Sequence, residues 1–562
     1  MDNRVWFFSA AIGFSMAVLP SLGLAQSSAN PSRIDERVRP RPEAPTLQAP
    51  LELPAVPETR PEGGADLQKF EIEGVIFDGS KTLPDAQLQD VAKPYLDRQI
   101  TLQDVYDLAD KVTALYRARG YVLSRAIVPA QQINNGFLKI TIVEGYIDKV
   151  DIQGDAGGAH RLLEEQAQRI KETRPLTAEI LERELLLAGD LAGLTVRSVL
   201  TPSETEIGAA DLTLIVEAKP VDVYLAADNY SSRYLGREEF IGQLYANDLF
   251  DLAGQVGVTA VVTPDSGPEM AYGALSYEVP LSADGLSLFS SYSYSRTRPG
   301  EELKDIDTKG KAEALRIEVS YPFLRARDFN FTGTVGMYGG NVSSENEVLQ
   351  PAFDDKIRHT YVRLFVNGLD DQGGYNTASV SYYRGVSWFG ASKNGDANLS
   401  RADADSDYQI LNFEASRWQP LVGNFSLLLA AAGQTSFNET LLSSEEWSIG
   451  GSYFSRAFDP SEISGEKGLA GSIELQYTPP EQVPWMSNFQ FFGFYEGGIV
   501  AQTETLPGEE KTESILSLGV GFRTTINNRV DAEMFVAQPF SRNVNAEGDR
   551  NTRLFFSVST SF

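Results

Sequence analysis

From residue 221 to residue 562 the chain alternates apolar and polar residues with a period of two. Leu315, Ile317, Val319 and Tyr321 interleave with Arg316, Glu318 and Ser320. Phe329, Phe331, Val335 and Met337 interleave with Asn330, Thr332, Thr334 and Gly336. Leu516, Leu518, Val520 and Phe522 do the same with Ser517, Gly519, Gly521 and Arg523. That period turns one face of a pleated strand apolar and leaves the other polar. Sixteen such runs begin near residues 221, 239, 253, 268, 284, 310, 328, 357, 375, 407, 424, 467, 488, 513, 529 and 551. Short connections (282–285, 324–328, 420–424, 527–528) take turns with long polar ones (297–308, 342–356, 390–405, 438–466). A soluble sandwich or propeller also alternates, but an even count of ~10-residue strands with unequal loops on the two sides predicts a transmembrane β-barrel of about 16 antiparallel strands. Its lumen is then lined by polar residues such as Arg316, Glu318, Arg363 and Arg523, and Trp388, Trp418 and Trp485 near strand ends read as interfacial girdles.

Both ends fit a barrel of this kind. Residues 1–25 read as a secretory signal: Arg4, an apolar stretch over 5–19, and Gly23-Leu24-Ala25, with cleavage expected after Ala25. At the other end Leu554, Phe556, Val558, Thr560 and Phe562 share one strand face, with Phe555 the exception on the other. Composition removes other classes. With 48 Lys+Arg against 77 Asp+Glu the net charge is −29, which argues against nucleic acid as a partner. There is no Cys and only His160 and His359, so thiol chemistry, disulfides and histidine triads have no basis. No phosphate-binding glycine loop or spaced calcium ligands are present either, so an enzyme, a metal site and a cofactor are not expected.

Residues 26–67 form a linker with eight prolines, an extended chain at ~3.1 Å per residue and a candidate plug segment. Only 32–39 has helical character there. Residues 68–149 and 150–220 then carry one β-α-α-β-β order twice. In the first, a strand over 70–74 precedes helices over 83–95 and 101–119 and strands over 121–129 and 137–144. In the second, a strand over 150–154 precedes helices over 160–172 and 178–188 and strands over 195–200 and 212–217. Pro129-Ala130-Gln131 with Asn135-Gly136 and Glu144-Gly145 in the first unit, and Leu181, Arg183, Leu185 and Gly189-Asp190-Leu191 in the second, resemble the paired POTRA domains of two-partner secretion transporters.

A loop over about 438–466 strengthens the resemblance. It contains Ser455-Arg456-Ala457-Phe458, and a later strand contains Phe494-Tyr495-Glu496-Gly497-Gly498. These are similar to the Val-Arg-Gly-aromatic tetrad and the Phe-x-Asp-x-Gly motif of that family, within the wider POTRA-plus-barrel superfamily. The Arg and the aromatic are kept, whereas Val, Gly and Asp have become Ser455, Ala457 and Glu496. The resemblance implies an inward-folded loop in which Arg456 and Phe458 meet Glu496 and Gly498 on the barrel wall. It further implies Phe562 as the assembly signal.

The function implied is that of an outer-membrane transporter. It captures an unfolded exoprotein in the periplasm and exports it through the barrel without ATP. The implied partners are a large secreted β-helical protein of adhesin or haemolysin type, outer-membrane lipid, and the barrel assembly machinery with periplasmic chaperones. Two alternatives remain at this stage, an outer-membrane assembly or insertion factor and a passive porin or receptor. The first shares the architecture but usually has more POTRA repeats; the second needs none.

Overall fold

The computed structural model describes residues 30–34 and 69–562, apart from 134–135, 207, 265–268, 348–351, 482 and 506–508. The expected signal with Ala25, and most of the proline-rich segment, lie outside these residues. No helix among those described is long and apolar enough to cross a membrane.

The first unit contains β1 (Lys69–Glu71), β2 (Gly74–Asp78), α1 (Asp85–Ala92), β3 (Gln99–Thr101), α2 (Leu102–Ala118), β4 (Arg125–Ile127) and β5 (Phe137–Val143). Thr101 caps α2 and forms a capping box with Asp104. Val105, Leu108, Ala109, Val112 and Tyr116 turn one face of that helix to the core. The strand expected over 70–74 is two strands: β1 pairs with β3, and β2 lies parallel to β5. The strand expected over 121–129 shrinks to β4. Its first residues instead close the helix end, where Tyr121 N donates to Tyr116 O and Ser124 N to Tyr121 O.

The second unit repeats the order with β6 (Tyr146–Gln153), α3 (His160–Glu172), α4 (Ala178–Gly189), β7 (Leu194–Pro202) and β8 (Ala209–Ala218). Between the units, Glu144 Oε1 accepts from Lys81 N (2.9 Å), Thr82 N (2.7 Å) and the Tyr116 hydroxyl (3.2 Å). Burial alone would raise the Glu144 carboxyl, but the two amides outweigh it and hold it below the usual glutamate value.

The remainder closes into one antiparallel barrel. Its strands are β9 (Val221–Asp228), β10 (Glu239–Asn247), β11 (Gln255–Val262), β12 (Met270–Pro280), β13 (Ser287–Thr297), β14 (Lys309–Arg325), β15 (Phe329–Glu345) and β16 (Phe353–Leu369). They continue with β17 (Tyr375–Gly385), β18 (Gln409–Pro420) and β19 (Phe425–Thr435). Two short strands, β20 (Trp447–Ile449) and β21 (Ile463–Gly465), pair inside the next loop. The wall resumes with β22 (Lys467–Tyr477), β23 (Met486–Ala501), β24 (Thr512–Ile526), β25 (Val530–Pro539) and β26 (Arg553–Ser561). β26 pairs with β9 to close the ring, and Phe562 N donates to Val223 O at 2.9 Å. Phe562 is exposed on the same parity as Leu554 and Val558, the lipid-facing side.

Two expectations change. The long connection expected over 342–356 is only 346–352, because β15 and β16 run on and bury Val342 and Ile357 against Leu442 of the loop inside the barrel. Trp418 is not in a girdle. It pairs through Leu428 with Glu474, all on the inner face, and its indole N–H donates to Gln476 at 3.3 Å. Trp388 and Trp485 do stand exposed beyond strand ends.

The second unit docks on the short-turn side. Arg325 makes a two-pronged contact with Asp190 at 2.7 Å on each prong, and Gln166 reaches Ala283 O. The short turns therefore face the two units.

Glu144→Gln should free the 80–83 segment. The native contribution of Glu144 is present above the ordinary glutamate pKa of about 4.3 and is lost as pH falls through its lower folded value. Hydrogen exchange in the full chain should show faster exchange at Lys81 and Thr82 in the variant at neutral pH, with the difference fading in acid. Unchanged protection at neutral pH would contradict this role for the carboxylate.

Candidate functional site

Residues 436–466 join β19 to β22 and fold back into the barrel. β20 and β21 form the neck, pairing Trp447 with Gly465 and Ile449 with Ile463. Gly450 leaves the neck at φ +123°, where an added Cβ would lie 2.2 Å from Asp459 O, so a side chain has no room. At the tip Phe458 N donates to Ser455 O and Gly451 N to Phe458 O, a turn that points Arg456 at the wall.

Arg456 is anchored by several contacts. Its amide donates to Glu496 Oε2 (2.9 Å), its Nε to Glu496 Oε1 (2.8 Å) and its Nη2 to Glu474 Oε2 (2.8 Å). Its guanidinium lies 3.6 Å from the centroid of the Phe494 ring, a cation–π contact. Arg456 and Glu474 expose 4% of their side chains and Glu496 1%. Ser472 Oγ donates to Glu496, Gln476 Nε2 to Glu474, and Arg523 also pairs with Glu474. Two guanidiniums thus face two carboxylates, which is what makes so buried a set tolerable.

The floor beneath is aromatic. Phe458 is fully buried among Phe492, Phe494, Phe535 and Phe555, all on the lumen face. Gly498 matters by its size: a Cβ there would come within 2.5 Å of Ile449 Cδ1 in the neck. Ala457, where the family has Gly, fits without exposure, and its carbonyl accepts from Arg553 at 2.9 Å.

The other lumen candidates divide. Arg523 belongs to the Arg456 set and lies over Phe492. Arg316 and Arg363 instead line a cavity of about 270 Å³ between the β14–β19 wall and the inward loop. Glu318 accepts there from the Tyr361 hydroxyl and from Arg363. Ser32 and Arg33 border the same cavity. Arg33 Nη2 donates to Ser443 O (2.6 Å) and Glu446 O (3.3 Å), Ser295 Oγ donates to Pro31 O, and Ile34 is buried beside Leu235, Met270 and Leu303. Sequence reasoning missed Glu474, Arg33 and the aromatic floor. Glu474 was marked by its inward parity in the strand after the loop, and the floor by Phe555, which broke the alternation of the last strand.

A family model described as haemolysin secretion/activation protein ShlB/FhaC/HecB matches residues 211–524, and one described as POTRA domain, ShlB-type, matches residues 70–145. The chain is 22% identical over 474 residues to the heme/hemopexin transporter protein HuxB of Haemophilus influenzae (strain 86-028NP), covering 82% of this chain and 81% of that one. It is 25% identical over 435 residues to the outer membrane transporter CdiB of Dickeya dadantii (strain 3937), covering 76% of each. The solved structure of CdiB from Escherichia coli shares the fold, with a TM-score of 0.70 at 20% identity over 99% of this chain and 100% of that one. Matches of this extent, on a closed barrel preceded by POTRA-type units, define an outer-membrane transporter with a periplasmic POTRA region. The chain belongs to the haemolysin secretion/activation family, the transporters of two-partner secretion, which work with a secreted exoprotein.

Losing one charge-assisted contact costs about 1.5–3 kcal/mol, so Glu474→Gln should open the inward loop roughly 10- to 100-fold more often. The readout is proteolysis of residues 447–462 in the intact, membrane-inserted barrel. Glu496→Asp keeps the carboxylate and should protect the loop better than Glu496→Ala does. Wild-type protection in Glu474→Gln would show that Glu474 does not hold the loop.

Proposed function

We propose that the chain exports one large partner protein in unfolded form, through the space between the inward loop and the β14–β19 wall. The observation that carries this reading is Arg33. The N-terminal segment borders that space, held on the inward loop by the carbonyls of Ser443 and Glu446 and away from the loop by burial of Ile34 beside Leu235, Met270 and Leu303. A plug of this kind closes the pore at rest and is displaced when the partner chain enters.

Capture is assigned to the POTRA-type units. Their three-stranded sheets leave β2, β4, β6 and β7 at edges, and an extended cargo segment adds there as a further strand. No nucleotide is required, because folding of the cargo outside, into a β-helix in the form the resemblance implies, prevents return. Arg456, Phe458, Glu496 and Gly498 keep the inward loop against the β22–β26 side, which leaves Arg316, Glu318 and Arg363 along the path. Phe562, on the lipid-facing parity of the last strand, is read by the barrel assembly machinery after periplasmic chaperones deliver the chain.

Deleting residues 70–219 should stop export of the partner while leaving a barrel with heat-modifiable migration in the outer membrane. Normal export by that variant would refute the capture role.

A further inference from the structure

The barrel is not equally tall all round. β14, β15 and β16 have 17 residues each, whereas β9 and β11 have 8 and β10 has 9. At about 3.4 Å per residue and a tilt of about 40°, an 8-residue strand spans only about 21 Å of the membrane normal, short of the ~25 Å apolar belt. On this side either the bilayer thins or another part of the chain completes the belt.

The turn between β10 and β11 has the composition to complete it. Residues 248–254 read Asp-Leu-Phe-Asp-Leu-Ala-Gly, and Leu249, Phe250 and Leu252 are 57%, 61% and 55% exposed. The turn is held in shape. Asp248 N donates to Gly254 O (2.6 Å), and Asp248 Oδ1 accepts from Ala253 N (2.8 Å). Asp248, Asp251 and Ala253 all take positive φ, at 54°, 57° and 55°, a conformation that persists only where the surroundings enforce it. Ala253 is buried against the second unit, while Leu249, Phe250 and Leu252 face outward. The Phe250 ring meets Tyr277 edge-on at 6.0 Å. Tyr277 pairs with Val256 on the face that carries exposed Leu275 and Val258, the lipid-facing side. The apolar surface of the turn therefore continues the lipid belt without a break. The same turn also holds the second unit, since Gly158 N donates to Asp248 Oδ2 at 2.7 Å.

We propose that Leu249, Phe250 and Leu252 form a wedge seated in the acyl boundary of the periplasmic leaflet. It completes the belt beside the shortest strands and, through Asp248, holds the second unit against the membrane. The occupant is lipid, and the other class of molecule that suits exposed apolar side chains here is the unfolded cargo.

The chain has no Cys, so single cysteines can be labelled cleanly. Phe250→Cys and Leu252→Cys, with Asp371→Cys on the polar turn 370–374 as reference, are labelled with the environment-sensitive fluorophore NBD. Heat-modifiable migration in proteoliposomes verifies folding. Emission at 250 and 252 should lie to the blue of that at 371 and be quenched severalfold more by lipid carrying a shallow doxyl group. Iodide should quench 371 preferentially. Equal iodide quenching at all three positions would overturn the proposal. So would lipid quenching at 250 that disappears when a denatured polypeptide is added, which would assign the turn to cargo.

Discussion

The interior of this barrel is organised around one guanidinium. Arg456 reaches the wall from a loop that would otherwise lie outside, and it is held there by Glu496, Glu474 and the face of Phe494. An exposed ion pair contributes only ~0–1 kcal/mol, but removing one partner from a desolvated set costs ~3–5 kcal/mol. The loop therefore stays in because withdrawal would strand Glu496 without a cation and leave Glu474 with Arg523 as its remaining guanidinium, among phenylalanine rings. Its position then decides the shape of the remaining space: the β22–β26 side is filled, and the β14–β19 side keeps a cavity.

The rest of the molecule is arranged on that axis. The filled side includes the last strand, whose Arg553 binds Ala457 O and Asp459 of the loop. The open side has the tall strands, whose outer ends pack against the base of the loop through Val342, Ile357 and Leu442. The second POTRA-type unit contacts the turns beneath β10–β11, β12–β13 and β14–β15, through Asp248, Ala283 and Arg325 respectively. The second POTRA-type unit, the lumen and residues 30–34 are thus joined by contacts that run from Asp190 at one end to Arg33 at the other.

Much of this was legible in the sequence, because a period of two survives in any strand that faces lipid on one side. Leu315, Ile317 and Val319 announced β14, and the strand starts were close to those observed. The same rule explains the errors. Trp418 was assigned by its position near a strand end, but its parity matches Glu474 and it faces the lumen. A polar lumen was expected everywhere, whereas Phe492, Phe494, Phe535 and Phe555 form an aromatic floor because a folded-in loop needs apolar surface to lie on. Arg456 and Glu496 were found by their motifs. Glu474 belongs to neither motif and was marked only by its inward parity, and Arg33 is one cation in a proline-rich stretch with no pattern to mark it. The short strands of the first unit were split or shortened relative to expectation, since three-residue strands such as β1 and β3 are set by pairing between segments distant in sequence.

The central claim is that Arg456 and Glu496 act as one unit. A double-mutant cycle tests it most directly, with Arg456→Ala, Glu496→Ala and the double variant compared for protection of the inward loop and for export, all in inserted barrels. The expected result is strong coupling of about 2–3 kcal/mol, the double variant being little worse than either single one. Losses that simply add would contradict the account, because the loop would then be held by something other than this pair.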